Sequence, residues 1–171
     1  MPAVRVKICG ITRAQDARLA EKLGAWAVGF NFHEKSPRVI SPADAWKIRK
    51  SLEPTTEAVG VFVNWRSDLI ITLVHALELT GVQLHGDESV QFCEQIRKAF
   101  PRLIQIKAFN AKTSLDFQEL FDHPADAIML DGYDAGLRGG TGRLADWAIA
   151  RAAARNSSAR SHKETKCPLY A

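Results

Sequence analysis

The stretch VRVKICGIT, residues 4–12, alternates apolar and polar side chains and then runs into a glycine and a threonine. Successive side chains of a strand point to opposite faces. Val4, Val6 and Ile8 therefore share one face, and Arg5, Lys7 and Cys9 share the other. The strand ends in a thiol at the point where the backbone must turn.

The same organisation recurs along the chain. Strand-like runs are expected at Val4–Cys9, Ala27–Phe32, Ala58–Asn64, Val82–His85, Leu103–Phe109 and Ala127–Asp131, with helix-like runs near 13–23, 42–52, 66–79, 88–99, 113–121 and 143–154. Thr12 with Gln15 reads as a capping box, and Ser41-Pro42 as an N-cap followed by proline at the first helical position. Gly24 and Gly81 stand where helices should close. Six strand–helix units in series predict an α/β fold with a parallel sheet.

A doubly wound sheet and a (βα)8 barrel both fit this alternation. A flat parallel sheet covered on both sides should read as near-continuous apolar runs. Here the strands are two-faced. Val82 and Leu84 oppose Gln83 and His85, Ile104 and Ile106 oppose Gln105 and Lys107, and Ile128 and Leu130 oppose Met129 and Asp131. That pattern favours a barrel with an apolar outer face under helices and a partly polar interior. No G-x-G-x-x-G follows the first strand, which lowers the dinucleotide-binding alternative. Cys9, Asn31, His85 and Asp131 all fall at C-terminal strand ends, where barrels of this kind carry their active sites.

Composition narrows the functional class. The chain has 171 residues, 46% of them hydrophobic and 25% charged, which suits one domain with a core. It has no apolar run long enough to span a membrane, and its N-terminus lacks the apolar stretch of a signal peptide. Cys9, Cys93 and Cys167 are odd in number and far apart, as expected of a reduced cytoplasmic chain without disulfides or zinc. The net charge of +4 resides in residues 151–171, where Arg151, Arg155, Arg160, Lys163 and Lys166 outnumber Glu164. A solvated tail explains it better than a nucleic-acid surface.

The blocks KICGIT at 7–12, GFNFHEKSPR at 29–38, VGVFVN at 59–64, VQLHGDE at 82–88 and LDGY…GGTG…DW at 130–147 resemble phosphoribosylanthranilate isomerase, in that family's order. The resemblance implies a (βα)8 TIM barrel. It also implies a step of tryptophan biosynthesis: the cofactor-free Amadori rearrangement of N-(5-phosphoribosyl)anthranilate to 1-(2-carboxyphenylamino)-1-deoxyribulose 5-phosphate. By the same resemblance Cys9 is the general base and Asp131 the general acid, and no metal is used. Arg38 holds the anthranilate carboxylate, and Gln83, His85, Gly140, Thr141 and Gly142 lie near the bound substrate.

Several roles stay open on the residues alone. Lys7 either favours the Cys9 thiolate or reaches a carboxylate inside the barrel. Gln83 and His85 either meet the sugar or form an interior hydrogen-bond network. Asp131 must be kept protonated, by burial or by a neighbouring anion, if it is to act as an acid near neutral pH.

The resemblance stops after Asp146-Trp147. Residues 1–155 are expected to form an incomplete barrel of about six βα units, and 156–171 a polar basic tail leading into the start of strand seven at 167–170. Strands seven and eight are otherwise missing from the pattern. The first and sixth strands are then the expected sheet edges, and the loops that commonly hold phosphate in such barrels are not among the matched blocks. An inactive or partner-completed fragment, and an isomerase of another phosphosugar, are the alternative readings. The expected partner is a small phosphorylated aminosugar, with no nucleic acid or membrane, and the expected state a monomer or homodimer.

Overall fold

The computed structural model describes residues 4–111, 120, 123–132 and 169–170. Its elements alternate as β1 (Lys7–Cys9), α1 (Ala14–Lys22), β2 (Ala27–Asn31), α2 (Pro42–Arg49), β3 (Glu57–Phe62), α3 (Ser67–Ala76), β4 (Gly81–Leu84), α4 (Val90–Ala99), β5 (Ile104–Ala111), β6 (Ala127–Gly132) and β7 (Leu169–Tyr170). The expected helices near 113–121 and 143–154, and most of the expected tail, lie outside the described residues. No described helix is long and apolar enough to cross a membrane.

All seven strands run parallel in one sheet, in the order β1-β2-β3-β4-β5-β6-β7. That order decides between the two candidate folds. A doubly wound sheet reverses direction at a switch point and carries helices on both faces. A strand order that never reverses, with right-handed crossovers, keeps every helix on one side. One apolar cluster accordingly joins Ala17, Ala45, Ile70 and Ile96 of the four helices to Val28, Phe30, Ala58, Phe62, Val82 and Leu84 of the strands. A second cluster, Ala27, Val59, Ile106 and Ala127 with Ile104 and Met129 against it, lines the opposite face and contains no helix residue. The sheet is the wall of a barrel, with the helices outside.

The strand ends match the expected runs to within a few residues. The start of strand seven is present as Leu169–Tyr170, paired with Ile128 and Met129 of β6. This corrects the expected edges: the described sheet ends at β1 and β7, not at β1 and β6. Strand five is a second correction. Ile104 and Ile106 face the interior, while Gln105 and Lys107 face the helices. Gln105 is held by α4, donating to the Cys93 carbonyl at 3.2 Å and accepting from the Arg97 amide at 3.1 Å. Polar atoms point outward here because the helix layer supplies their partners.

Two helix ends also differ from expectation. The N-cap of α1 is Arg13, and no side chain caps it, so the Thr12–Gln15 capping box does not form. Arg13 instead pairs with Asp16 at 2.7 Å. Gly81 opens β4; the left-handed residue closing α3 is Glu78, at φ 48°. The Ser41 hydroxyl does cap α2, accepting from the Asp44 amide at 3.1 Å. Gly24 does close α1: its φ is 83°, its amide donates to the Glu21 carbonyl, and the Ala25 amide reaches the Ala20 carbonyl. That is a Schellman closure, which favours glycine.

A Cβ on Gly24 would meet nothing within 4 Å, whereas on Gly60 it would lie 2.7 Å from the Phe62 ring and 2.8 Å from Leu79. Gly24→Ala is therefore expected to cost about 1 kcal/mol through backbone conformation alone. Gly60→Ala is expected to cost more, because a packed core must move. Urea denaturation of both variants checks the order.

Candidate active site

The interior ends of the strands bring together most of the side chains expected at the site. Register places Cys9 beside Gly29, Gly29 beside Val59, and Asn110 beside Asp131. Lys7 and Cys9 share the interior face of β1. A Cβ built on Gly29 would stand 3.0 Å from both the Cys9 Sγ and the Lys7 Nζ. The two groups thus crowd one point, and the glycine leaves that point open. The Lys7 Nζ is buried and has no hydrogen-bond partner among the described residues. The reading in which Lys7 reaches a carboxylate finds no such contact there.

Across the interior, Gln83, His85 and Asp131 form a chain of contacts. Gln83 Nε2 lies 2.7 Å from His85 Nδ1, and His85 Nε2 lies 2.9 Å from Asp131 Oδ2. The His85 and Asp131 side chains are 13% and 23% exposed, so solvent still reaches the carboxylate. Of the two roles open for Gln83 and His85, the interior network is present.

Arg38 arrives from the β2–α2 loop. Its Nη1 donates to the Cys9 carbonyl at 3.0 Å, and its side chain lies across Gly10, where a Cβ would be 2.6 Å from Arg38 Cδ. Gly10 has φ 82°, so this turn needs glycine for both its backbone and its close approach. Asn31 shapes the same loop rather than presenting itself for chemistry: it accepts from the His33 amide and donates to the Ser36 hydroxyl, both at 2.9 Å. The Ser36 hydroxyl in turn accepts from the Arg38 amide at 3.2 Å. Gly140, Thr141 and Gly142 lie outside the described residues.

One part of the site was not anticipated as such. Beneath the rim, on the helix side, Lys107 and Glu88 form an ion pair at 3.0 Å with side chains only 5% and 2% exposed. Lys107 also donates to the Leu84 and Gly86 carbonyls, at 3.3 and 2.7 Å. These flank His85, so a buried ammonium grips the backbone on both sides of that residue. Glu88 accepts from the Asn64 and Gly86 amides, at 2.8 and 2.9 Å, tying the β3–α3 and β4–α4 loops together. The sequence signal for this clamp is slight. Lys107 reads as one polar residue of an alternating strand, and Glu88 as the first residue of a helix.

Nearby, Cys93 and His123 are both buried, Sγ to Nε2 3.7 Å. Burial pushes the Cys93 thiol up to about 11 and the His123 imidazole down to about 4. This pair is neutral packing, and Cys93 is an unreactive thiol.

The family model for N-(5'phosphoribosyl)anthranilate (PRA) isomerase matches residues 6–162. The N-(5'-phosphoribosyl)anthranilate isomerase of Trichodesmium erythraeum is 39% identical over 149 residues, covering 85% of this chain and 65% of that protein. The solved phosphoribosyl anthranilate isomerase of Thermus thermophilus superposes with a TM-score of 0.80 at 36% identity, covering 90% of this chain and 73% of that one. Another phosphoribosyl anthranilate isomerase, solved in complex with reduced 1-(o-carboxyphenylamino)-1-deoxyribulose 5-phosphate, superposes at 0.70 with 41% identity, over 77% of this chain and 66% of that one. The chain thus spans about two thirds to three quarters of the length of these relatives.

Two measurements check this account of the site. Removing one partner of a buried ion pair leaves the other charge uncompensated. Lys107→Met is therefore expected to lower stability by about 3–5 kcal/mol, read as the midpoint of urea unfolding. His123 is neutral when buried and takes up a proton on unfolding. Its contribution to stability is complete above its ordinary value of 6.5 and is lost as pH falls toward about 4. Melting temperatures of wild type and His123→Phe should therefore converge as pH drops through that window. By its family-wide match, its relatives and its barrel, the chain belongs to the N-(5'-phosphoribosyl)anthranilate isomerase family.

Proposed function

We propose that this chain carries the isomerase chemistry of its family, converting N-(5-phosphoribosyl)anthranilate to 1-(2-carboxyphenylamino)-1-deoxyribulose 5-phosphate in tryptophan biosynthesis. The observation that supports it best is the interior rim itself. A thiol crowded by an ammonium that has no hydrogen-bond partner among the described residues stands on β1, and a carboxyl group hydrogen-bonded to a histidine stands on β6.

The rearrangement needs an acid and a base at separate atoms of one sugar. Asp131 delivers a proton to the furanose ring oxygen as the C1–O bond breaks, which leaves an iminium at C1. The Cys9 thiolate takes the proton from C2, and the electron pair of that C–H bond moves to form the C1–C2 double bond of an enolamine. Protonation at C1, with the C2 hydroxyl losing its proton as its oxygen becomes a carbonyl, then yields the 2-ketose. General acid–base catalysis of this kind contributes on the order of 10²- to 10⁴-fold for each group.

Lys7 suits the base. A free thiol is mostly protonated at neutral pH, and positive charge nearby favours the thiolate. Two groups that each approach one point to 3.0 Å lie within the ~6 Å over which a charge acts strongly on its neighbour. Arg38 suits the anthranilate carboxylate, because its planar fork can pair with two oxygens while one nitrogen stays on the Cys9 carbonyl.

The decisive experiment follows the loss of substrate fluorescence when the purified chain meets freshly made phosphoribosylanthranilate. Turnover is expected, with a fall of at least about 10²-fold in kcat for Cys9→Ala and for Asp131→Asn. No turnover from a folded chain would overturn the proposal. Independently of substrate, Lys7→Met is expected to slow alkylation of Cys9 by iodoacetamide at neutral pH, measured by peptide mass spectrometry. An unchanged rate would remove Lys7 from the mechanism.

A further inference from the structure

The contacts among Gln83, His85 and Asp131 have a direction. Gln83 Nε2 faces His85 Nδ1 at 2.7 Å. An amide nitrogen only donates, so Nδ1 must offer its lone pair. A neutral imidazole bears one N–H, which then lies on Nε2 and points at Asp131 Oδ2, 2.9 Å away.

The orientation of the Gln83 amide follows from what turning it over would do. Gln83 is 2% exposed, and its Oε1 is buried without a partner among the described residues. Rotating the amide by half a turn would put its NH2 in that position. A buried donor without an acceptor is rarer and costlier in proteins than an under-used carbonyl oxygen. The amide therefore stays with its nitrogen on the ring.

We propose that Gln83 is the positioning residue that fixes the Nε2–H tautomer of His85, and thereby divides the work between the two oxygens of Asp131. Oδ2 accepts from the imidazole, and Oδ1 carries the proton that goes to the substrate. The N–H donor on Oδ2 orients the carboxyl group through that one oxygen. The histidine is in turn held by the Lys107 grip on the carbonyls of Leu84 and Gly86, which leaves the ring little freedom to find another partner. The role given to Asp131 rests on the isomerase reading above; the tautomer does not.

Long-range 1H–15N correlation of the 15N-labelled chain near pH 8 reports both ring nitrogens, with the His85 signals identified by their loss in His85→Asn. The expected result is a bare Nδ1 and a protonated Nε2. In Gln83→Glu the new carboxylate only accepts, so Nδ1 should gain a proton. Gln83→Met, of similar volume and without a donor, should give a mixture of tautomers. A protonated Nδ1 in the unaltered chain, or a ring that keeps the pure Nε2–H form in Gln83→Met, overturns the proposal. The second variant decides even if Gln83→Glu fails to fold. With substrate, kcat of Gln83→Glu should fall about 10- to 100-fold with KM little changed. A changed tautomer with unchanged kcat overturns the division of labour at Asp131. The ring signals need no substrate, so a chain that turns nothing over refutes the isomerase reading without touching this test of the tautomer.

Discussion

A parallel sheet whose crossover helices all lie on one face leaves its other face to be filled by the strands themselves. The rest of this molecule depends on that constraint. The outer face meets the helices through Val28, Phe30, Phe62, Val82 and Leu84, and is satisfied by apolar contact. The inner face is apolar only in part, where Ala27, Val59, Ile106 and Ala127 pack together. Toward the C-terminal strand ends the same face carries Lys7, Cys9, Gln83, His85 and Asp131. One continuous surface thus serves as core at one level and as the wall of the proposed site at the next.

Polar groups in such a place need partners, and the structure divides them by whether they find one. Asn31, Gln105, Glu88 and Lys107 are satisfied by backbone groups, by the Ser36 hydroxyl and, for Glu88 and Lys107, by each other. They hold loops, so that Arg38 and His85 arrive in fixed positions. Lys7 Nζ and Gln83 Oε1 are the buried side-chain atoms left without a partner among the described residues. Lys7 shares β1 with the proposed base Cys9, and Gln83, on β4, contacts the histidine that meets the proposed acid Asp131. Burying an unpaired polar atom costs stability, and proteins tolerate that cost most often where function requires it.

Much of this was legible in the chain. The two-faced strands point to a barrel because periodicity of two is local and survives without any knowledge of neighbours. Cys9, Asn31, His85 and Asp131 stand out because chemical side chains gather at the C-terminal ends of different strands, whereas Arg38, in the β2–α2 loop, and the acid and base roles come from the family resemblance. Ser41 and Gly24 are legible because a cap is made within a few residues. Where the signal was local but ambiguous, it misled. Thr12 offers a cap, but Arg13 holds the N-cap position and no side chain caps the helix, and Gly81 stands near a helix end that Glu78 closes.

What lay beyond the sequence is whatever required two distant segments to meet. Alternation in Ile104-Gln105-Ile106-Lys107 shows that the strand has two faces but does not say which one is inside. The outcome was set by Glu88, Arg97 and the carbonyls of Cys93, Leu84 and Gly86, all supplied by other elements. The same holds for the close approach of the Cys9 and Lys7 side chains to Gly29, which exists because β1 and β2 register Cys9 against it. The direction of the Gln83–His85–Asp131 contacts likewise depends on β4 and β6 closing toward each other across the interior. Residue type and spacing are properties of one segment; they determined the fold class, and with the family resemblance they named most of the groups proposed to react. Which face is buried, and which polar atom is left unpaired, are properties of contacts between segments, and only the folded barrel could decide them.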